Sequence, residues 1–215
     1  MTIEEMRLNY AQGTLDKLDV DPDPLVQFQK WFQQARDAEP PEWFEVNAMS
    51  LATTDAQGHV TSRIVLLRGI DDGKFVFFTN YNSAKARQIA MCPHVALCFY
   101  WPHLQRQVRI EGQVSKTSRQ RSDQYFQTRP RESQLGAHVS CQSAEVESRA
   151  VLEQQMAELK RHYGDDPVPC PENWGGYAVT PSQFEFWQGR PGRLHDRIVF
   201  RQRDDEEWNI VRLSP

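Results

Sequence analysis

From Asn47 to Lys116 the sequence breaks into short β-rich runs separated by links of only a few residues, and this spacing constrains the fold more than any other feature. Runs at 48–54, 59–68, 75–79, 94–100 and 106–116 are divided by turn-forming clusters such as Asp55 to Gly58, Asp71-Asp72-Gly73 and Trp101-Pro102. Parallel neighbours need a crossover of about a dozen residues or more, so most of these runs can pair only antiparallel, which argues against a doubly wound nucleotide fold. Within 106–116 the alternation is clear. Gln107, Arg109, Glu111 and Gln113 share one face, and Val108, Ile110, Gly112 and Val114 share the other, as in a half-buried strand. Further strands are expected at 177–180, 183–188, 194–203 and 207–213, after Trp174-Gly175-Gly176.

Helices flank these strands. Asp23 as N-cap and Pro24 at the first position start one that carries Leu25, Phe28, Phe32 and Ala35 and stops at Pro40-Pro41. Ser83 caps a second, and others are expected at 118–128 and from Ser148 to His162. The fold class is therefore mainly antiparallel β with flanking helices (α+β), closing as a barrel. The whole of 1–215 reads as a single domain, with residues 1–20 a mobile N-terminal arm.

Composition narrows the partners. The chain sets 25 Lys+Arg against 29 Asp+Glu for a net charge of -4, which argues against nucleic-acid coats and anionic membrane surfaces. No basic stretch followed by an apolar run opens the sequence, and the longest apolar run, Val95 to Trp101, is far too short to span a bilayer; the expected location is the cytoplasm. The four cysteines form no CxxC pair and the histidines no HExxH, so no disulfide or metal is assigned. With no P-loop and no GxGxxG, any phosphate must be held by side chains and loop amides.

Basic residues cluster at Arg63-Ile64-Val65-Leu66-Leu67-Arg68, at Ser83-Ala84-Lys85-Ala86-Arg87, at Arg129-Pro130-Arg131 between Tyr125 and Ser133, and at Arg193-Leu194-His195-Asp196-Arg197. Taken singly, each suits a solvated surface, and Gln142-Ser143 suits a helix cap. Arg63 and Arg68 are an odd number of residues apart. In a regular strand they face opposite ways, unless one lies beyond the strand end.

The C-terminal segment is more specific. Phe184-Glu185-Phe186-Trp187-Gln188, four residues, then Arg193-Leu194-His195-Asp196-Arg197 resembles the signature of the pyridoxine (pyridoxamine) 5'-phosphate oxidase family. The resemblance extends through Arg7 and Tyr10, the RIVLLR run, Ser83-x-Lys85, Arg106-Gln107-Val108, Tyr125-Phe126, Arg129-Pro130-Arg131-x-Ser133-Gln134 and Gln142-Ser143. It implies a homodimeric FMN-binding split barrel with the flavins at the subunit interface. It also implies that Arg63, Lys85 and Ser143 hold the FMN phosphate, while Ile64, Val65, Leu66, Leu67, Arg68, Phe78, Thr79, Gln107 and Gln142 line the rest of the flavin. Trp187 and Arg197 reach the flavin from the partner subunit. Substrate phosphate falls to Arg68, Tyr125, Arg129 and Ser133; Arg193, Leu194 and His195 lie over the pyridine ring, with Arg193 and His195 as catalytic residues, and Arg7 and Tyr10 close the site.

The implied reaction takes pyridoxamine or pyridoxine 5'-phosphate to pyridoxal 5'-phosphate by hydride transfer from C4' to flavin N5. The amine gives an imine that water hydrolyses, and dioxygen reoxidises the flavin to yield hydrogen peroxide. No metal, nucleic acid or membrane enters this reading. Two positions depart from the family pattern: Arg68 stands where lysine is usual, and Ala84 where a second cation is frequent. A flavin reductase on the same barrel, or a non-catalytic flavin or pyridoxal-phosphate binder, are the competing readings; the substrate set and the intact Arg193-Leu194-His195 argue against them.

Overall fold

The computed structural model describes residues 2–5 and 9–215 of the chain. Nine strands form one antiparallel sheet: β1 Ala48–Thr54, β2 Val60–Leu66, β3 Gly69–Asp71, β4 Lys74–Asn80, β5 His94–Trp101, β6 Arg106–Lys116, β7 Trp174–Gln188, β8 Asp196–Gln202 and β9 Trp208–Leu213. Five α-helices flank it: α1 Pro24–Asp37, α2 Ala84–Met91, α3 Arg119–Gln127, α4 Arg131–Val139 and α5 Arg149–Tyr163. The sheet runs β2-β1-β5-β6-β7-β4-β3, and β8 and β9 branch from β7. This is the expected α+β, antiparallel class.

The branch at β7 is what splits the barrel. One edge of β7 pairs with β6 along its length; the other pairs with β4 over residues 174–179 and with β8 over 183–188. At the handover the β6 register shifts between Glu111 and Gly112, opposite Pro181, which has no N–H to donate. A Cβ on Gly112 would lie 2.1 Å from the Thr180 carbonyl oxygen, so the strands close here only because the residue is glycine.

Four local expectations are corrected. The runs 177–180 and 183–188 are one strand, since Pro181 falls at the bulge rather than in a break. Gly69–Asp71 is a short strand against β4, and only Asp72 and Gly73, both at positive φ, make the turn. Leu194 and His195 lie outside β8, because Gly192 and Arg193 take positive φ in a 3-10 turn and the strand starts only at Asp196. Helix α4 was not expected as a separate helix; its polar opening and Gly136 hide the apolar side formed by Leu135 and Ala137.

The main core lies between α1 and the sheet. Asp23 caps α1 by accepting from the Leu25 N–H at 2.8 Å, which fixes the helix start and turns Phe28 and Trp31 inward. Phe28 meets Phe75 and Phe99, and Trp31 meets Phe186, each burial worth roughly 1.5 to 3 kcal/mol. A second, smaller cluster of Phe126, Leu135, Ala137, Val168 and Trp174 joins α3, α4 and β7, with Met156 and Leu159 of α5 packed against it. That cluster forms one wall of the site described next.

Candidate active site

A cavity of about 440 Å³ opens between β2, β4 and the α3–α4 wall. Of the predicted residues, Arg63, Ile64, Val65, Leu66, Arg68, Phe78, Thr79, Lys85, Tyr125, Arg129, Ser133 and Gln142 all line it. The odd spacing of Arg63 and Arg68 is resolved by the strand end. β2 stops at Leu66; the Leu67 N–H then donates to the Asn47 carbonyl and the Arg68 N–H to the Val76 carbonyl. The chain thus bends toward β4, and both arginines reach one cavity.

One cluster is centred on Arg63 and Lys85. Arg63 donates to the Leu51 carbonyl at 3.0 Å and to Thr53 and Thr61 Oγ1, both at 2.6 Å. Ser83 caps α2 with its Oγ accepting from Ala86, and the following turn aims Lys85 Nζ at Gln142 Oε1 (2.6 Å) and Thr79 Oγ1 (3.1 Å). Burial, assisted by the like charge of Arg63, pulls the Lys85 ammonium down to about 8. Ser143, at φ 71°, sits outside the cavity lining but accepts from the Ala84 N–H at 3.1 Å. Arg87 does not replace the cation missing at position 84, because its guanidinium donates to the Asn82 carbonyl at 2.6 Å.

The second cluster is aromatic and cationic. Tyr125 stacks on Phe78 at 4.0 Å between centroids, and Arg68 lies over the Tyr125 ring at 5.9 Å. Arg129 lies over Trp174 at 4.7 Å; its Nη1 is buried with no hydrogen-bond partner, and burial pushes its pKa down. Ser133 stands in the first turn of α4, whose N-cap, Pro130, makes no side-chain bond to the opening amides.

No Asp or Glu lines this cavity, and among the described residues Arg63, Arg68, Lys85 and Arg129 form no ion pair with a carboxylate. Arg63, Lys85 and Arg129 are partly withdrawn from water without a counter-charge, which is costly, so the two clusters are suited to anions. Ile64 to Leu66 and Phe78 add apolar wall to the polar clusters, the surroundings a phosphorylated ring system such as FMN requires.

The remaining predicted residues lie elsewhere. Tyr10, Trp187 and His195 form their own aromatic group, with centroids 4.7 to 5.9 Å apart. The Arg190 N–H donates to His195 Nδ1 at 3.0 Å, which leaves Nε2 as the protonated nitrogen of the neutral ring. Arg197 donates to the buried Glu185 at 2.7 Å and to the Ser214 carbonyl at 2.9 Å. Gln107 stands opposite Trp187 in the β6–β7 register. Arg193 and Leu194 are exposed on their turn, Leu194 by 73%. None of these lines the cavity of the same chain, nor does Leu67, which is buried in the main core. Arg7 lies outside the described residues.

Asn80, Gly136, Ala137, Ser140 and Trp174 also line the cavity and were not anticipated. The signal for Trp174 was the glycine pair after it. A Cβ on Gly175 would lie 2.2 Å from Tyr81 Oη and one on Gly176 2.5 Å from Thr117 Oγ1 and 2.9 Å from Phe78 Cε1, so this stretch packs against β4 and the residues beside it only without side chains.

Comparison with known proteins places the chain in a family. The sequence model described as Pyridoxamine 5'-phosphate oxidase matches residues 31–163. The chain belongs to that family of enzymes. Residues 174–215 match the family's Pyridoxine 5'-phosphate oxidase C-terminal dimerisation region, so the exposed turn with Arg193 and Leu194 falls within a dimerisation element. Among curated relatives, the pyridoxine/pyridoxamine 5'-phosphate oxidase of Rhodopirellula baltica is 55% identical over 216 residues, covering 99% of this chain and 96% of its own. That of Paraburkholderia phymatum is 52% identical, covering 100% and 99%. Among solved structures, PhzG from Burkholderia lata 383, in complex with tetrahydrophenazine-1-carboxylic acid, superposes with a TM-score of 0.86 at 27% identity, covering 94% of this chain and 98% of its own. A pyridoxamine 5'-phosphate oxidase-related, FMN binding protein from Nostoc punctiforme shares the fold at a TM-score of 0.69 and 18% identity, with the same coverages. The split-barrel expectation is thereby met. Among the described residues no helix is long and apolar enough to cross a membrane.

Proposed function

We propose that this family member is an FMN-dependent oxidase that converts pyridoxamine and pyridoxine 5'-phosphates to pyridoxal 5'-phosphate, acting as a homodimer. The observation that carries the reading is the cavity with four unpaired cations and no carboxylate, in a chain that also carries an intact Arg193-Leu194-His195. When bound, FMN accepts the hydride from substrate C4' and passes the electrons to dioxygen, giving hydrogen peroxide.

The protein's part is binding, orientation and charge. Arg63 and Lys85 hold the flavin phosphate, with Thr79 and Gln142 fixing the Lys85 ammonium. Ser143 braces the start of α2 through Ala84, and Ile64, Val65, Leu66 and Phe78 exclude water from the ring. The substrate phosphate goes to Arg68, Tyr125, Arg129 and Ser133. Arg193 and His195, absent from their own chain's cavity, reach the substrate from the partner subunit, where His195 presents its Nε2 proton. Trp187, Arg197 and Gln107 complete the flavin surroundings across the same interface, and Tyr10, packed on Trp187 and His195, closes the site with Arg7. Exposed apolar side chains on the edge strand β2, Ile64 among them at 66%, fit a surface that a second subunit covers.

Purified protein is expected to be yellow and to release peroxide with pyridoxamine 5'-phosphate. A colourless sample that binds no added FMN and yields no peroxide with either substrate would overturn the reading.

A further inference from the structure

We propose that Trp174 is a positioning residue for the phosphate-binding arginine, holding the Arg129 guanidinium over its indole face in the cavity wall, where, among the described residues, no carboxylate competes with a phosphate for it. The inference rests on the assignment of Arg129 to substrate phosphate made above.

No carboxylate anchors Arg129 among the described residues, and its Nη1 is buried without a hydrogen bond. What surrounds the guanidinium is an aromatic corner: Trp174 at 4.7 Å and Phe126 at 5.5 Å, two rings set edge to face at 71°. A charged side chain with many rotamers, held by rings instead of a competing acceptor, keeps its donors for the ligand and has less freedom left to lose on binding.

The indole is itself fixed. Trp174 is buried, opens β7 opposite Asn80, and lies parallel to Phe78 at 5.5 Å and 10°. Phe78 stacks on Tyr125, and Asn80 donates through Nδ2 to the Ser140 carbonyl just after α4, the helix that carries Ser133. Trp174 therefore ties three phosphate donors, Tyr125, Arg129 and Ser133, to one rigid wall. Gly175 and Gly176 allow that wall to approach β4.

The test uses the full-length, FMN-loaded protein as wild type, Trp174→Leu, Trp174→Phe, Arg129→Ala and the Arg129→Ala/Trp174→Leu double variant. Pyridoxal 5'-phosphate is titrated at equilibrium, and FMN affinity is measured in parallel on each apoprotein. Trp174→Leu is expected to weaken pyridoxal 5'-phosphate binding about tenfold, raising KM far more than it lowers kcat, and to change FMN affinity by about twofold or less. Trp174→Phe, which keeps a stacking face, restores most of the loss. In the Arg129→Ala background Trp174→Leu costs nothing further, because the residue acts through that arginine.

Unchanged pyridoxal 5'-phosphate binding in Trp174→Leu, or losses that simply add in the double variant, would overturn the inference while leaving the phosphate assignment standing. Equal damage to FMN binding, with Trp174→Phe as impaired as Trp174→Leu, would overturn it in favour of a purely structural role. If Arg129→Ala binds pyridoxal 5'-phosphate as well as wild type does, the phosphate assignment itself fails, and the inference with it.

Discussion

The cavity and the C-terminal turn are both rich in arginine, but their charges are treated differently. Around the turn three cations meet carboxylates: Arg212 and Arg190 pair with Asp196, and Arg197 pairs with Glu185. In the cavity Arg63, Arg68, Lys85 and Arg129 meet, among the described residues, hydroxyls, carbonyls, amides and aromatic faces and no carboxylate. Paired arginines hold the chain together; unpaired ones wait for an anion. Arg193 stands apart within the turn, exposed and without an ion pair among the described residues. In the proposed dimer it completes the cavity of the other subunit.

The largest effect should come from breaking an unpaired cation. Each charge-assisted bond to a phosphate contributes about 1.5 to 3 kcal/mol, so Arg129→Ala, losing about two such bonds, should raise KM for pyridoxamine 5'-phosphate by at least about 100-fold while FMN affinity stays near wild type. Steady-state kinetics beside a flavin fluorescence titration separates the two quantities. Lys85→Met should do the converse, weakening FMN about tenfold to thirtyfold with little change in substrate KM once the flavin is saturating.

A smaller effect follows from pH. Lys85 is pulled to about 8 by burial and by Arg63, so it loses its proton above that pH in the free protein. Phosphate remains a dianion there and favours the ammonium, so FMN binding should take up a proton above pH 8 and weaken by about threefold to tenfold between pH 7 and 9. For folding the sign is opposite. A lysine depressed from 10.5 to about 8 leaves the unfolded chain with more bound protons between those values, so apoprotein stability should rise with pH across that window. Flavin titrations and denaturant unfolding over this pH range test both directions.

The smallest effect should come from a paired cation. Arg212→Ala removes exposed bonds to Asp16 and Asp196 and should lower Tm by about 3 °C or less, with KM for either substrate unchanged.

How much of this was legible in the sequence depended on whether local or long-range contacts decide. Turn clusters gave β1 its observed limits, and alternation gave β6 its own, because a strand buried on one face declares itself every second residue. Ser83 and Asp23 showed helix starts through chemistry that acts within three residues. The cavity was legible only as separate basic clusters and as a resemblance. That Arg63 and Arg68 share it depends on where β2 lets go of β1, and that Arg129 rests on an aromatic ring depends on Trp174, 45 positions away in the chain. Helix α4 was missed for a similar reason: its apolar side is too sparse to show until Phe126 and Trp174 are folded against it.

Each site of the proposed dimer is completed by two chains, with phosphate donors from one and Arg193 from the other. Subunit mixing tests it directly. Arg129→Ala and Arg193→Ala are each expected to be poorly active as homodimers; unfolded together and refolded at equal ratio, random pairing places one intact site in each mixed dimer. Recovery to about one quarter of wild-type activity is expected. Activity no higher than the mean of the two parent variants, in a sample shown to contain mixed dimers, would contradict it.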